Sequence, residues 1–322
     1  MQFVAVINSF NRKSLLVKAV ESLARAMGEQ RQDYAIVVFD AGSGDGSREW
    51  LAEFAREHSD VQLEIVQPRE GEDRSFAAGV NRGCEHAMKA FPGVEFLLLY
   101  ETDNWVSSGQ PIEAAIKVLR SNEELAAMGF TVRMHSGRLI GWGTRFPTLG
   151  SFILGGLMGH KKGVPRAERR RIQECEGFRW FTADAVYTSP LLIRASAWRE
   201  SGGMDSRMFP FSDSDLDWAW RVARRGYRMG VLETDAVVHD NLSTISNWAS
   251  MRVVDYHRNR FRLLRKYRGR RVWLTVPALF CRHVIEYGIL LGMVLAGRRP
   301  AASLMKRTVL MRRVWHGYGA SW

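Results

Sequence analysis

The sequence predicts an α/β fold in which a mainly parallel central sheet is flanked by helices, with a helical extension at the C-terminal end. Over the first 120 residues, short runs in which most positions are apolar and β-prone alternate with segments of helical period. That is the pattern of a sheet covered on both faces. The 322 residues, 46% of them hydrophobic, suffice for one large core or two smaller ones. Charge is uneven along the chain. Residues 251–322 hold 16 of the 46 Lys and Arg but two of the 34 acids, so the net charge of +12 belongs to the tail. The chain thus reads as a catalytic domain over 1–250 and a basic, apolar helical region over 251–322.

The first strand is residues 3–7: the opening MQFVAVINSF has neither a basic leader nor a long apolar run, so it reads as a strand and not as a signal peptide. A helix carrying Leu16, Val20 and Leu23 follows, then a strand at 34–39, a helix with Leu51 and Phe54, and a strand at 61–66. Next come a helix at 76–90, a strand at 94–100 and a helix at 111–120. Residues 133–180, with Gly, Pro and a basic cluster at Lys161-Lys162 and 166–171, read as a long excursion. Regularity returns with a strand at 191–193, a break at Gly202-Gly203 and a helix at 216–225. That helix closes on Arg224-Arg225-Gly226, cations followed by a C′ glycine, before a strand at 227–232. Cys84, Cys175 and Cys281 are widely spaced, signal neither a zinc site nor a disulfide framework, and fit a reducing cytoplasm.

Acidic groups fall where strands end or helices begin. Asp40 follows a strand and precedes glycines 42, 44 and 46. A dinucleotide fingerprint would sit in the first βα turn, whereas this run follows the second strand, so an oxidoreductase is disfavoured; the plain alternative is a turn and helix cap. Glu101 and Asp103 end a long apolar strand at i and i+2. On extended backbone both would approach one divalent cation, Mg²⁺ or Mn²⁺, or a metal and a ribose hydroxyl, with solvated loop acids as the alternative. Asp213, Asp215 and Asp217 alternate before a helix, as caps, as dipole partners or as a proton acceptor. His239 follows a short apolar run and is either structural or a metal ligand. Trp218 and Trp220, at helical spacing beside Leu216 and Val222, read as core.

Taken in order, these blocks resemble family-2 glycosyltransferases of the GT-A fold, inverting enzymes of the rhamnosyltransferase-like kind that builds bacterial cell-envelope glycans. The polar turn Asn8-Ser-Phe-Asn-Arg12, the block 39–47, Phe76-Ala-Ala-Gly-Val-Asn-Arg-Gly83, and Glu101-Thr-Asp103 carry the resemblance. So do Leu-Leu-Ile-Arg194, Gly-Gly-Met-Asp205, Ser-Asp-Ser-Asp-Leu216 and the Val-x-His element. Glu101 stands where the family's metal motif has its first aspartate, and Ser212 where it has a glutamate. The resemblance spans about 3–244. It implies a GT-A nucleotide-diphospho-sugar transferase fold and a single in-line displacement, with Asp213 as general base. It places Asp103, Glu101 and His239 at a divalent metal, and Asp40, Arg74 and Asn81, together with Glu101 and Asp103, at the donor. Asp184, Asp205 and Asp215 fall on the acceptor side. The resemblance implies a nucleotide-diphosphate sugar as donor, expected to be UDP- or dTDP-linked with a sugar such as rhamnose, galactose or a hexosamine. With the membrane-like tail, the expected acceptor is a lipid-linked or cell-surface glycan.

In the tail, residues 255–271 are Arg-rich with interleaved aromatics and leucines, and 272–297 are strongly apolar. Arg282, His283 and Glu286 interrupt the apolar run, which argues for a hairpin or an in-plane amphipathic helix over a span. Flanking basic pairs and Trp273, Trp315 and Trp322 suit an anionic membrane surface, and hence a cytoplasmic protein peripheral on the inner face of the cell membrane. The competing expectation is a helical cap or a homo-oligomer interface. Nucleic acid is not an expected partner, because the apolar run has no use there. Two other classes stand against the transferase: a phosphate-handling enzyme of related fold, which would want a GxxxxGK[ST] loop that the chain lacks, and a non-catalytic membrane-associated binding protein.

Overall fold

The apolar runs of the first half fold into alternating strands and helices: β1 (Phe3–Ser9), α1 (Lys13–Glu29), β2 (Tyr34–Asp40), α2 (Ser47–Glu57), β3 (Gln62–Val66), α3 (Phe76–Ala90) and β4 (Phe96–Glu101). Then follow β5 (Asn104–Val106), α4 (Gln110–Ser121), β6 (Leu125–Phe130), β7 (Val132–Met134), β8 (Leu139–Ile140), α5 (Leu149–Leu154), β9 (Gln173–Cys175) and β10 (Phe178–Ala183). The remaining elements are β11 (Leu191–Arg194), α6 (Ala195–Ser201), α7 (Ser214–Ala223), β12 (Arg228–Leu232), β13 (Val237–His239), α8 (Arg252–Arg268), a 3₁₀ turn (Gly269–Leu274), α9 (Thr275–Leu295) and α10 (Ala302–Gly319). The structure, a computed structural model, describes residues 1–30, 33–154, 171–239 and 252–319. Lys161-Lys162 and 166–170 of the basic cluster, residues 240–244 after His239, and Trp322 lie outside the described residues.

The chain divides into two compact units, Met1–Arg145 with Gly163–Leu242, and Phe146–Lys162 with Ser243–Trp322. In the first, nine strands form one sheet in the order β3-β2-β1-β4-β11-β6-β12-β10-β9. β3, β2, β1 and β4 are parallel, and so are β6 and β12. β11, β10 and β9 run antiparallel to their neighbours, which makes the sheet mixed. Local chemistry explains part of this: β9 and β10 are joined by Glu176-Gly177, both at positive φ, a two-residue turn that only an antiparallel pair can use.

β1, β2 and β4 are buried on both faces, as their near-continuous apolar runs require, whereas β3, with Gln62 and Glu64, is a half-exposed edge strand. Phe3, Ala5, Ile7, Ile36, Val38, Phe96 and Leu98 share a core with Leu16, Val20 and Leu23 of α1, Leu51 and Phe54 of α2, and Ile112, Ile116 and Leu119 of α4. Burying each such side chain contributes about 1.5–3 kcal/mol over leaving it exposed. α3 covers the opposite face with small residues. A Cβ on Gly83 would lie 2.5 Å from Val6 Cγ1, and one on Gly79 would lie 2.6 Å from Asn8 Oδ1. Glycine there lets the helix approach the sheet closely.

The start of the 133–180 excursion supplies β7 and β8 to a second, four-stranded sheet, β5-β13-β7-β8. Its pairing sets Asn104 opposite His239. The second unit is helical. There Phe152 of α5 is fully buried among the rings of Tyr256, His257 and Tyr318, and Phe261, Leu263, Leu264 and Val314 complete the core.

Candidate active site

Three strand ends lie side by side at one edge of the main sheet. Ser9 of β1 is in register with Asp40 of β2, and Asn8 with Glu101 of β4. Asp40 and Glu101 are therefore separated by two strand spacings, about 10 Å. Parallel strands leave their C-terminal ends as the usual ligand edge of such a sheet.

At the end of β2, Asp40 is fully buried. Its Oδ1 accepts hydrogen bonds from the Gly42 and Ser43 amides at 2.9 and 2.7 Å, an Asx turn that Gly42 closes at φ +98°. Its Oδ2 accepts no hydrogen bond and faces Arg48 Nε at 3.9 Å. Arg74, exposed, lays its guanidinium over Gly42: Nη1 comes within 3.0 Å of where a Cβ there would stand. Asp40 and Arg74 thus border one loop. That loop is stitched to the end of β1, since Asn11 N–H donates to Ser43 Oγ and Asn11 Oδ1 accepts from Gly44 N, each at 2.9 Å. Asp45 accepts from Ser47 Oγ and from the Lys13 and Ser47 amides, bonds that lower its pKa, the Ser47 hydroxyl most.

The extended i, i+2 geometry expected for Glu101 and Asp103 is not what forms. β4 ends at Glu101, and Thr102-Asp103 turn the chain into β5 so that Asn104 can pair with β13 in the second sheet. Glu101 accepts a hydrogen bond from Thr188 Oγ1 at 2.8 Å. Burial first, and the Asp103 charge second, raise its pKa. Asp103, 6% exposed, has its Oδ1 3.5 Å from His239 Nδ1 and its Oδ2 3.5 Å from Arg12 Nη1. His239 Nδ1 also lies 3.2 Å from Asn104 Oδ1, its partner across the strands. Oδ1 of Asp103 is buried and accepts no hydrogen bond. A buried carboxylate oxygen that accepts no hydrogen bond, beside an imidazole, suits a hard divalent cation such as Mg²⁺ or Mn²⁺. Among the described residues no group of three His, Cys, Asp or Glu side chains is placed to hold a metal ion.

The remaining residues occupy the approach to α7. Asn81, expected at the donor, has both ends of its amide on Met204: Nδ2 donates to the carbonyl at 2.8 Å and Oδ1 accepts from the amide at 2.7 Å. It braces the Gly202–Met204 turn against α3. Ala77 N–H donates to Pro210 O at 2.9 Å, while Asn8 Nδ2 donates to Phe76 O, so the first turn of α3 joins the end of β1 to the loop before α7. Asp213 is the N-cap residue of α7, half-buried, in the left-handed conformation at φ 62°, and its side chain makes no capping bond. A non-glycine residue held there costs about 1–3 kcal/mol, strain of the kind that collects at functional sites. Asp215 accepts from Leu216 N, Asp205 from Met208 N, and Asp184 is exposed just after β10. Asp217 is fully buried and pairs with Arg221 at 3.0 Å, whose guanidinium also donates to the Ser201 and Gly203 carbonyls. Trp218 is core, its Nε1 donating to Ser201 Oγ at 2.6 Å, and Trp220 is 7% exposed. Arg12 and Thr188 escape sequence reasoning. Arg12 lies in the quoted polar turn 8–12, but only the loop's geometry turns it to Asp103; nothing around Thr188 marks it.

A mixed sheet whose parallel half ends in acids, with a short second sheet closing on the Asp103 turn, is the architecture of a GT-A nucleotide-sugar transferase. The chain belongs to the family described as glycosyltransferase like family 2, whose model matches residues 2–272. Membership of that family implies transfer of a sugar from a nucleotide-sugar donor. Solved structures that share the fold include the following three. S. aureus TarS 1-349 has 13% identity and a TM-score of 0.52, covering 88% of this chain and 72% of that one. The mannosyltransferase PcManGT from Pyrobaculum calidifontis, in complex with GDP-Man and Mn²⁺, has 13% identity and a TM-score of 0.55 over 98% and 86%. GalNAc-T7 with UDP, GalNAc and Mn²⁺ has 13% identity and a TM-score of 0.60 over 82% of this chain, which spans about half, 47%, of that one. No curated protein sequence matches.

Proposed function

We propose that this glycosyltransferase moves a hexosyl or deoxyhexosyl group from a UDP- or dTDP-sugar to a hydroxyl of a lipid-linked or cell-surface saccharide, with inversion at the anomeric carbon. The observation that carries the reading is the buried Asp103 Oδ1, which accepts no hydrogen bond and lies 3.5 Å from His239 Nδ1. Asp103 and His239 would hold a divalent ion, with Glu101 close behind, and the ion when bound supplies charge neutralisation for the departing diphosphate. Mn²⁺ accompanies the nucleotide ligands of two structural neighbours, which supports this assignment.

The chain's own residues take the other roles. Asp40 Oδ2, buried and without a donor, is suited to an N–H of the nucleobase, and Arg74 and Arg12 to the base edge or the phosphates. Asn81 acts indirectly, fixing the Met204 turn and with it the loop that leads to Asp213. Asp213 accepts the proton of the attacking hydroxyl, and Asp184, Asp205 and Asp215 line the acceptor side. A lipid-linked acceptor would place the protein on the cytoplasmic face of the membrane, with the basic C-terminal unit towards anionic lipid.

The test is calorimetric titration of the protein with UDP, dTDP and GDP, each with and without Mn²⁺, beside an Asp103→Ala variant. Metal-dependent binding of one nucleotide, lost in the variant, is the expected result. Metal-independent binding, equal in the two proteins, would overturn the metal assignment.

A further inference from the structure

Helix α9 has its polarity reversed relative to a water-facing helix. Its exposed positions carry no charged side chain and include Phe280, Val284, Ile285, Ile289, Leu291 and Leu295, the last 79% exposed. Its charged groups and its histidine point inward. Glu286, 5% exposed, accepts from Arg282 Nε at 2.9 Å and from the fully buried Arg307 of α10 at 2.6 Å. Arg282 also donates to the Ile153 carbonyl at 2.5 Å. His283, 4% exposed, packs edge-on against His257 and Trp315. Helices in water put charge outside and apolar groups inside. Charge paired within and an unbroken apolar exterior are what hydrocarbon selects.

We propose that the outer face of α9 is buried in the hydrocarbon of an anionic phospholipid bilayer, with the helix lying in the plane of the interface. The charge pattern chooses this occupant. Exposed Arg270 and Arg271 precede α9, Arg298 and Arg299 follow it, and α10 exposes Lys306, Arg312 and Arg313 beside Met305 and Val309. A rim of cations around an apolar face complements lipid phosphates. By length and composition the helical run ending at Leu295 could cross a bilayer. Crossing is disfavoured because α10 packs along α9 and would carry its exposed cations into hydrocarbon. This names the partner of the C-terminal unit; it rests on the reading of a membrane-borne acceptor for its purpose, not for its geometry.

Cys281, exposed on the same face, is a built-in probe; Cys84 is buried and Cys175 half-buried. The full chain would be treated with a water-soluble maleimide alone and with vesicles of pure phosphatidylcholine or of phosphatidylcholine with phosphatidylglycerol, with Cys281→Ser giving the background. Labelling should slow at least tenfold on anionic vesicles and much less on neutral ones. The double variant Ile285→Glu, Ile289→Glu should lose vesicle binding while keeping the nucleotide binding of the parent, which shows that it is folded. Undiminished labelling on saturating anionic vesicles would overturn the proposal. So would protection that rises with protein concentration without lipid, the signature of a second copy on this face. Nucleotide affinity is read separately, so a failed donor assignment leaves the vesicle result interpretable, and the reverse.

Discussion

At the scale of single residues, two carboxylates that look alike in the sequence sit in different surroundings. Asp103 has a buried oxygen facing an imidazole, the surroundings on which the proposed cation site rests. Asp213 stands at positive φ at the start of α7 without capping it, and the proposed mechanism makes it the base. Asp213→Asn should therefore lower kcat by about 10²–10⁴-fold, the usual worth of a general base, with the nucleotide Kd within twofold of the parent. Arg12→Ala should do the opposite, weakening nucleotide binding in the presence of Mn²⁺ more than it lowers kcat. Steady-state kinetics and calorimetry on the two variants separate the roles. The acids themselves were legible in the sequence because apolar strands that end in carboxylates are costly unless the charge is used. Their partners were not. Arg12, Thr188 and the turn at 102–103 follow from how two sheets meet, and no local pattern of residue types encodes that meeting.

At the scale of elements, the helices and parallel strands of the first 120 residues and the β12 strand were legible to within a few residues because each is written as a periodic apolar pattern. β6, with its small residues Ala126, Ala127 and Gly129, and the short helices α5 and α6 were not. The direction of β11, β10 and β9 was not, since antiparallel insertion depends on connections through 133–180, where Gly, Pro and charge obscure the period. Motif identity also hid mechanics. Asn81 lies in a donor-like segment, yet it works between elements, holding Met204 to α3 with two hydrogen bonds. Asn81→Ala leaves both backbone groups of Met204 without their partner and should destabilise the first unit by about 2 kcal/mol. Urea denaturation would show it as a lower midpoint at unchanged slope. If the brace orients the loop before α7, acceptor KM should rise while nucleotide Kd holds. A variant that loses nucleotide affinity with no loss of stability would return Asn81 to direct donor contact.

At the scale of the whole molecule, charge and pH sensitivity belong chiefly to the C-terminal unit, which takes in both the sequence's basic tail and the helix α5. Its interior holds two imidazoles that burial keeps neutral. His283 is pushed down to about 4, by burial first and then by the Arg307 and Arg282 charges. His257 is lowered by burial, then by His283, Arg282 and Arg307, and its Nδ1 meets the Tyr318 hydroxyl at 2.6 Å. Unfolding releases both to ordinary histidine behaviour near 6.5, so between about 6.5 and 4 the unfolded state binds protons that the folded state refuses. Stability is therefore complete above that window and falls as pH drops through it. For His283 alone the loss approaches about 3 kcal/mol below pH 4, and His257 acts in the same direction. His283→Leu removes one titrating group while keeping an apolar side chain in the space. The urea midpoint of tryptophan fluorescence should then fall less steeply from pH 7 to 4.5 in the variant than in the parent. Equal slopes would mean that His283 meets water in the folded state, and the inward polarity of α9 would lose one of its supports.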